Sequence, residues 1–125
     1  MRRPIAAMAV ACAALPAAAQ APSNEVLGQR LAQSACVQCH TFGKGEPHGA
    51  GPNLFGLLGR PAAGVPGYAY TPALAKAVKG QPWDRQLLER FLTDAQGLAP
   101  GSGMVYFQDD PRRRQALIDY LASLQ

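Results

Sequence analysis

The chain has 125 residues, with 12 Lys and Arg against 8 Asp and Glu and a formal net charge of +4. That length is enough for one compact domain with a modest core. No basic block alternates with aromatic residues, which leaves no case for nucleic-acid binding.

Residues 1–19 read as a secretory signal peptide lying outside that domain. Met1-Arg2-Arg3 is a basic head, Ile5 to Leu15 is apolar and alanine-rich, and Ala17-Ala18-Ala19 offers small residues for cleavage before Gln20. The apolar run is too short and too broken by prolines to span a bilayer, so no integral membrane span is expected after its removal. A buried alanine helix is the blander reading. Lipid anchoring at Cys12 is a weaker alternative, because the apolar stretch before it is short. Cleavage leaves 20–125 as the domain. Arg2 and Arg3 depart, so the charge falls to +2, and the remaining soft or nitrogen ligands are Cys36, Cys39, Met104, His40 and His48.

Helical patches then alternate with loops rich in Gly and Pro. Ser23 or Asn24 can cap a first helix, with Glu25 in its first turn and Leu27, Leu31 and Ala35 on one face. From Thr41 to Pro66 the glycines and prolines forbid long regular structure, leaving room for one short helical turn within 53–59. Thr71-Pro72 reads as a cap followed by proline at the first helical position, opening a short helix to about Lys79. Asp84 starts another, with Leu87, Leu88, Phe91 and Leu92 as its apolar stripe. Gly97 to Gly103 is loop, and Asp110-Pro111 begins a last helix that turns Leu117, Ile118, Leu121 and Leu124 inward. No alternating strand pattern or internal repeat is present. The expected class is all-α, with about four to five short helices and long loops. Such loops in a compact domain need something to wrap around.

Cys36-Val37-Gln38-Cys39-His40 has the spacing for covalent haem attachment. On a helical turn, residues three and four apart share a face. Both cysteines can therefore reach one porphyrin edge, with His40 beneath the iron as the proximal ligand. Rival readings of the same residues are a structural disulfide, a redox dithiol and a zinc site. The dithiol lacks a βαβ setting, and the zinc site would need a fourth ligand, for which His48 is the only nitrogen left. Met104 is the natural sixth ligand. It is the only methionine after cleavage, and it sits on Pro100-Gly101-Ser102-Gly103, a loop with little bulk that can approach a porphyrin closely. A thioether ligand favours ferrous iron and raises the potential. The blander reading is that Met104 fills a gap in the core.

Taken together, these residues resemble a class I cytochrome c of the monohaem bacterial and mitochondrial type, from about Val26 to Leu124. The likeness rests on Cys36 to His40, Gly51-Pro52-Asn53-Leu54, Gly59-Arg60, Tyr70-Thr71, Trp83, Pro100 to Met104, and Leu117-Ile118-Asp119-Tyr120-Leu121. It implies the cytochrome c fold wrapped around one haem c bound through Cys36 and Cys39. It also implies that the Pro52 carbonyl accepts the second ring N–H of His40, and that Arg60, Tyr70 and Trp83 surround the haem propionates. Gly28 should let the first helix cross the last near Tyr120, and His48 should brace its own loop. Three departures stand out. Ala32 replaces a bulky aromatic, which puts the usual helix crossing in doubt. Phe91 replaces a tyrosine that would hydrogen-bond the ligand sulfur. The lysine ring of mitochondrial members is mostly missing, with only Lys44, Lys76 and Lys79 in the chain.

The implied function is single-electron transfer in the periplasm, with redox proteins as partners: a membrane oxidase or reductase of a respiratory chain, or a periplasmic dehydrogenase. The protein should be a monomer or a member of a weak complex, and not an enzyme. The rival reading, a haem enzyme or gas-binding sensor, requires an open sixth position, and no second His, Arg or Glu stands in the Met104 loop to assist it. A dedicated electron-accepting subunit of a dehydrogenase would keep the chemistry and fix the partner.

Overall fold

The structure, a computed structural model, describes residues 20–125, so the signal peptide expected at 1–19 and Cys12 lie outside the described residues. Five helices follow in order: α1 Asn24–Ala35, α2 Pro72–Ala77, α3 Arg85–Thr93, α4 Ala95–Leu98 and α5 Pro111–Ser123. No strand forms among these residues. Two isolated bridges join Pro61 to Pro82 and Asp94 to Phe107. No helix among them is long and apolar enough to cross a membrane.

The caps explain where the helices begin. The side chains of Ser23, Thr71, Asp84 and Asp110 each accept a first-turn N–H, at 3.4, 3.3, 2.7 and 2.8 Å, satisfying donors that a helix start leaves unpaired. Three details differ from expectation. The loop expected from Gly97 to Gly103 starts only at Ala99, because the Asp94 side chain caps a further short helix, α4, by accepting the Gly97 N–H at 2.9 Å. α2 ends at Ala77, because Val78 and Lys79 form only a closing turn. Residues 54–60 make two hydrogen-bonded turns and no helix, with Leu57 N–H on Leu54 C=O and Arg60 N–H on Leu57 C=O.

α3 and α5 supply most of the core. Leu87, Leu88, Phe91 and Leu92 face inward from α3, and Leu117, Ile118 and Leu121 from α5, whereas Leu124 is only partly covered. Each such side chain contributes about 1.5–3 kcal/mol on burial. The inner face of α1 differs from the one its leucines suggest. Gly28 and Ala32 are buried, Leu27 and Leu31 are half-buried, and Ala35 is exposed. The cause is the crossing with α5. A Cβ at position 28 would lie 1.8 Å from the Ala116 carbonyl oxygen and 2.8 Å from Tyr120 Cβ. The helices thus touch backbone to backbone. The small side chain of Ala32, which put this crossing in doubt, is fully buried in it. Phe42 packs on Tyr120 beside it, with ring centroids 5.9 Å apart.

Because the obstacle at position 28 is backbone, the helices must separate to admit a methyl group. Gly28→Ala should cost about 3 kcal/mol, read as a lower denaturant midpoint at unchanged slope. An unchanged midpoint would show that the helices do not meet there.

Candidate haem site

α1 delivers the attachment motif. Cys36 closes the helix with its N–H on the Ala32 carbonyl, and the N–H groups of Cys39 and His40 both reach the Cys36 carbonyl, at 3.0 and 2.9 Å. The chain therefore makes one more helical turn through the motif and keeps Cys36, Cys39 and His40 on a common side. No disulfide joins the two cysteines, and Cys36 is half-buried and Cys39 exposed. Burial, and secondarily the neighbouring Cys39, pushes the Cys36 thiol up to about 11, so the unattached thiol is neutral at ordinary pH.

His40 is held by the loop that follows. Its Nδ1 donates to the Pro52 carbonyl at 2.7 Å, which leaves Nε2 as the nitrogen with a free lone pair. Burial is the main reason its pKa falls. The Arg60 charge lowers it further, against the opposing bond to Pro52, and the ring is neutral and able to ligate. Gly51 lies flat against the imidazole: a Cβ there would sit 2.4 Å from His40 Cε1. Any side chain at position 51 would push the ring aside.

The second wall is built by a clip between two loops. Gly59 N–H donates to the Trp83 carbonyl at 2.8 Å and Trp83 N–H to the Arg60 carbonyl at 2.9 Å. Trp83 is buried, with its ring 5.2 Å from Phe91. Arg60 gives Nη2 to the Asn53 carbonyl at 2.9 Å and Nη1 to the Phe55 carbonyl at 3.3 Å. Tyr70 accepts the Val65 N–H at 3.3 Å, and burial raises its phenol pKa. Met104, half-buried, comes from the loop after α4.

All eight residues singled out from the sequence (Cys36, Cys39, His40, Pro52, Arg60, Tyr70, Trp83 and Met104) line a single cavity of about 440 Å³. The remaining wall is largely apolar, including Leu57, Leu74, Leu92 and Leu117. One feature indicates what would fill it. Arg60 Nε is buried with no hydrogen-bond partner, and none of the ion pairs among the described residues uses Arg60. A guanidinium keeps its charge even where burial lowers its pKa. A flat apolar group with carboxylates at one edge fits both the oily wall and this unpaired cation.

The rival chemistries find no support in the same geometry. His48 accepts the Asn53 N–H on Nδ1 at 2.9 Å and donates from Nε2 to the Pro66 carbonyl at 3.0 Å, so it braces its loop. No group of three or more His, Cys, Asp and Glu gathers among the described residues to hold a zinc ion. Two wall residues escaped the sequence reading. Tyr68 donates to the Ala50 carbonyl at 2.6 Å, and Ser102 is buried beside Met104. Tyr68 belongs to no spaced motif, and Ser102, though within the Pro100 to Met104 loop, was given no role of its own.

Comparison with known proteins agrees with this geometry. The family model for cytochrome c matches residues 26–125. The chain is 36% identical over 105 residues to cytochrome c2 of Rhodopila globiformis, covering 83% of this chain and 96% of that protein. It is 36% identical over 102 residues to cytochrome c of Ginkgo biloba, covering 80% and 88%. With cytochrome c of Kluyveromyces lactis the identity is 39% over 83 residues, covering 66% and 74%. A haem-attachment turn, an apolar cavity and a match over nearly all the described residues lead to one conclusion: the chain belongs to the cytochrome c family and is an electron carrier with one haem c bound through Cys36 and Cys39.

Proposed function

We propose that this protein is a periplasmic single-electron shuttle whose haem iron is ligated by His40 and Met104, with residues 1–19 removed as a signal peptide. The haem, when bound, supplies the one-electron couple. The observation that carries the reading is that His40, with Nε2 left free by its bond to Pro52, and Met104 line the same cavity. The Pro52 carbonyl fixes the imidazole tautomer and raises its basicity. Arg60, Tyr70 and Trp83 would surround the propionates, and Arg60 Nε would then gain the acceptor it lacks. Two protein ligands held by the fold in both oxidation states keep the coordination constant, and that makes electron exchange fast.

The test is spectroscopic. The ferric protein should show the weak far-red sulfur-to-iron charge-transfer band, and the ferrous protein should bind carbon monoxide poorly. Rapid carbon monoxide binding by the native ferrous protein would mean an open sixth position and a gas-binding or peroxidatic role.

The partner would be a membrane oxidase or reductase or a periplasmic dehydrogenase, met mainly through apolar contact. Val105 and Phe107 are 84% and 65% exposed just after Met104. Of the arginine run on α5, Arg114 is spent within the fold, while Arg112 and Arg113 form a solvated face. Arg114 pairs with Glu89 at 2.6 Å, and Arg113 lies 3.7 Å from Asp110. Screening acts on exposed charges. The rate of electron transfer to the partner should therefore change less than about threefold between low and physiological salt. A steep fall with salt, abolished by neutralising Arg112 to Arg114, would make that cluster the docking site instead.

A further inference from the structure

The segment that carries Met104 has almost nothing of its own to hold it. Residues 101–104 are Gly, Ser, Gly and Met, so little side-chain bulk anchors them in the core. Among the described residues, the hydrogen bonds tying 101–105 to the rest of the fold run only to Ala99 and to the side chain of Gln96. Ser102 N–H reaches the Ala99 carbonyl at 2.9 Å. Everything else converges on one amide on α4. Gly101 N–H donates to Gln96 Oε1 at 3.1 Å. Gln96 Nε2 donates to the Ser102 carbonyl at 2.8 Å and to the Met104 carbonyl at 2.7 Å, with Ser102 Oγ a longer contact at 3.1 Å.

These contacts use both donors of the amide and engage its oxygen. Nε2 has two hydrogens, and the two short contacts take both. Oε1 takes the only donor offered. The pattern fixes the orientation of the amide, since a flipped group would set its oxygen against two carbonyls and its N–H₂ against an N–H. The two ends of the segment are otherwise secured. Upstream it leaves the end of α4, and downstream Ala95 N–H holds the Tyr106 carbonyl at 3.0 Å. Between them, only the Ser102 bond to Ala99 is independent of Gln96, and no hydrogen bond but those of Gln96 reaches Gly103 to Val105 from outside the segment.

We propose that Gln96 is the positioning residue for Met104: its side-chain amide clamps the ligand-bearing loop and sets how often the methionine leaves the iron. The inference rests on Met104 being the sixth ligand. Gln96 lines no part of the haem cavity and acts only through the loop. A shuttle needs its ligand in place in both oxidation states, and this clamp, made of neutral groups, does not weaken when the iron changes charge.

The experiment uses the holoprotein and imidazole as the probe of loop opening. Stopped-flow mixing of ferric protein with saturating imidazole reads the rate at which Met104 detaches. Gln96→Ala, and Gln96→Met, which keeps length without hydrogen bonds, should each raise that rate about tenfold or more, because the three hydrogen bonds of the amide to the loop are lost. The Gly101 amide should lose hydrogen-exchange protection in the same variants. The control is Arg85→Ala, which breaks the exposed ion pair to Asp119 away from this loop and should leave both readouts unchanged. If wild type shows the far-red sulfur band but Gln96→Ala matches its imidazole rate within twofold, the clamp is refuted while ligation by Met104 stands. Equal acceleration by Gln96→Ala and Arg85→Ala would also refute it, as a general loss of stability. A wild type without the band refutes the ligation and the clamp together.

Discussion

A variant with both Cys36 and Cys39 replaced by alanine, prepared without haem, is expected to be unfolded at room temperature. The reason is volumetric. At about 24 cal/mol per Å³ of unfilled space, the cavity of about 440 Å³ would cost about 10 kcal/mol if left empty. That equals the whole stability of an ordinary domain, about 5–15 kcal/mol. The chain has no other way to close the gap. Its walls come from loops stapled by single contacts such as His40 to Pro52 and Gly59 to Trp83, and a collapse would bury Arg60 with no anion. Circular dichroism and dispersion of amide proton signals would decide the matter. A cooperative thermal transition with the helix content of the haem-bound protein would show that the walls support themselves.

The second large effect concerns Met104. Met104→Ala should raise the apparent affinity of the ferrous protein for carbon monoxide about 100-fold, and the far-red band of the ferric form should vanish. An incoming ligand sees only the fraction of molecules whose sixth position is open. With a ligated protein that fraction is a minor state, of order one per cent, and the substitution makes it the whole population. Histidine cannot step in readily, because His48 is committed to Asn53 and Pro66. Titration with carbon monoxide under reducing conditions gives the number. Equal affinity in variant and wild type would assign the sixth position to some other group.

The parts of this molecule that were legible in its sequence are those governed by local chemistry. Asp84 before Leu87, Leu88 and Phe91, and Thr71 before Pro72, announce helix starts because a cap and a stripe are properties of neighbouring residues. Cys36, Cys39 and His40 declare themselves for the same reason. What stayed hidden depends on partners distant in the chain. The helix α4 has four residues, one of them Gly97, too few to show a period. Gln96 looks like any polar helix residue until its amide is seen against the backbone of 101–104. On α1 the helical period points to Leu27, Leu31 and Ala35, yet the tightest contact runs through Gly28, which only the family resemblance marks as the crossing with α5, because a missing side chain carries no periodic signal. Arg60 could be placed near the propionates by resemblance. That two of its nitrogens are spent on Asn53 and Phe55, leaving one idle, is a tertiary fact.

The backbone contact at Gly28 bears on how the chain assembles. α1 ends at Ala35 and α5 begins at Pro111, so their meeting closes a loop of about 75 residues. The entropy of closure grows only as the logarithm of length, but none of the reward arrives until the helices have come within touching distance. The pairing is therefore one non-local event that helix propensity cannot divide into smaller steps. High separation between contacting residues slows folding. This protein should fold more slowly than a helical bundle of equal length whose neighbours in sequence are also neighbours in space, and the delay belongs to the search of one helix for the other.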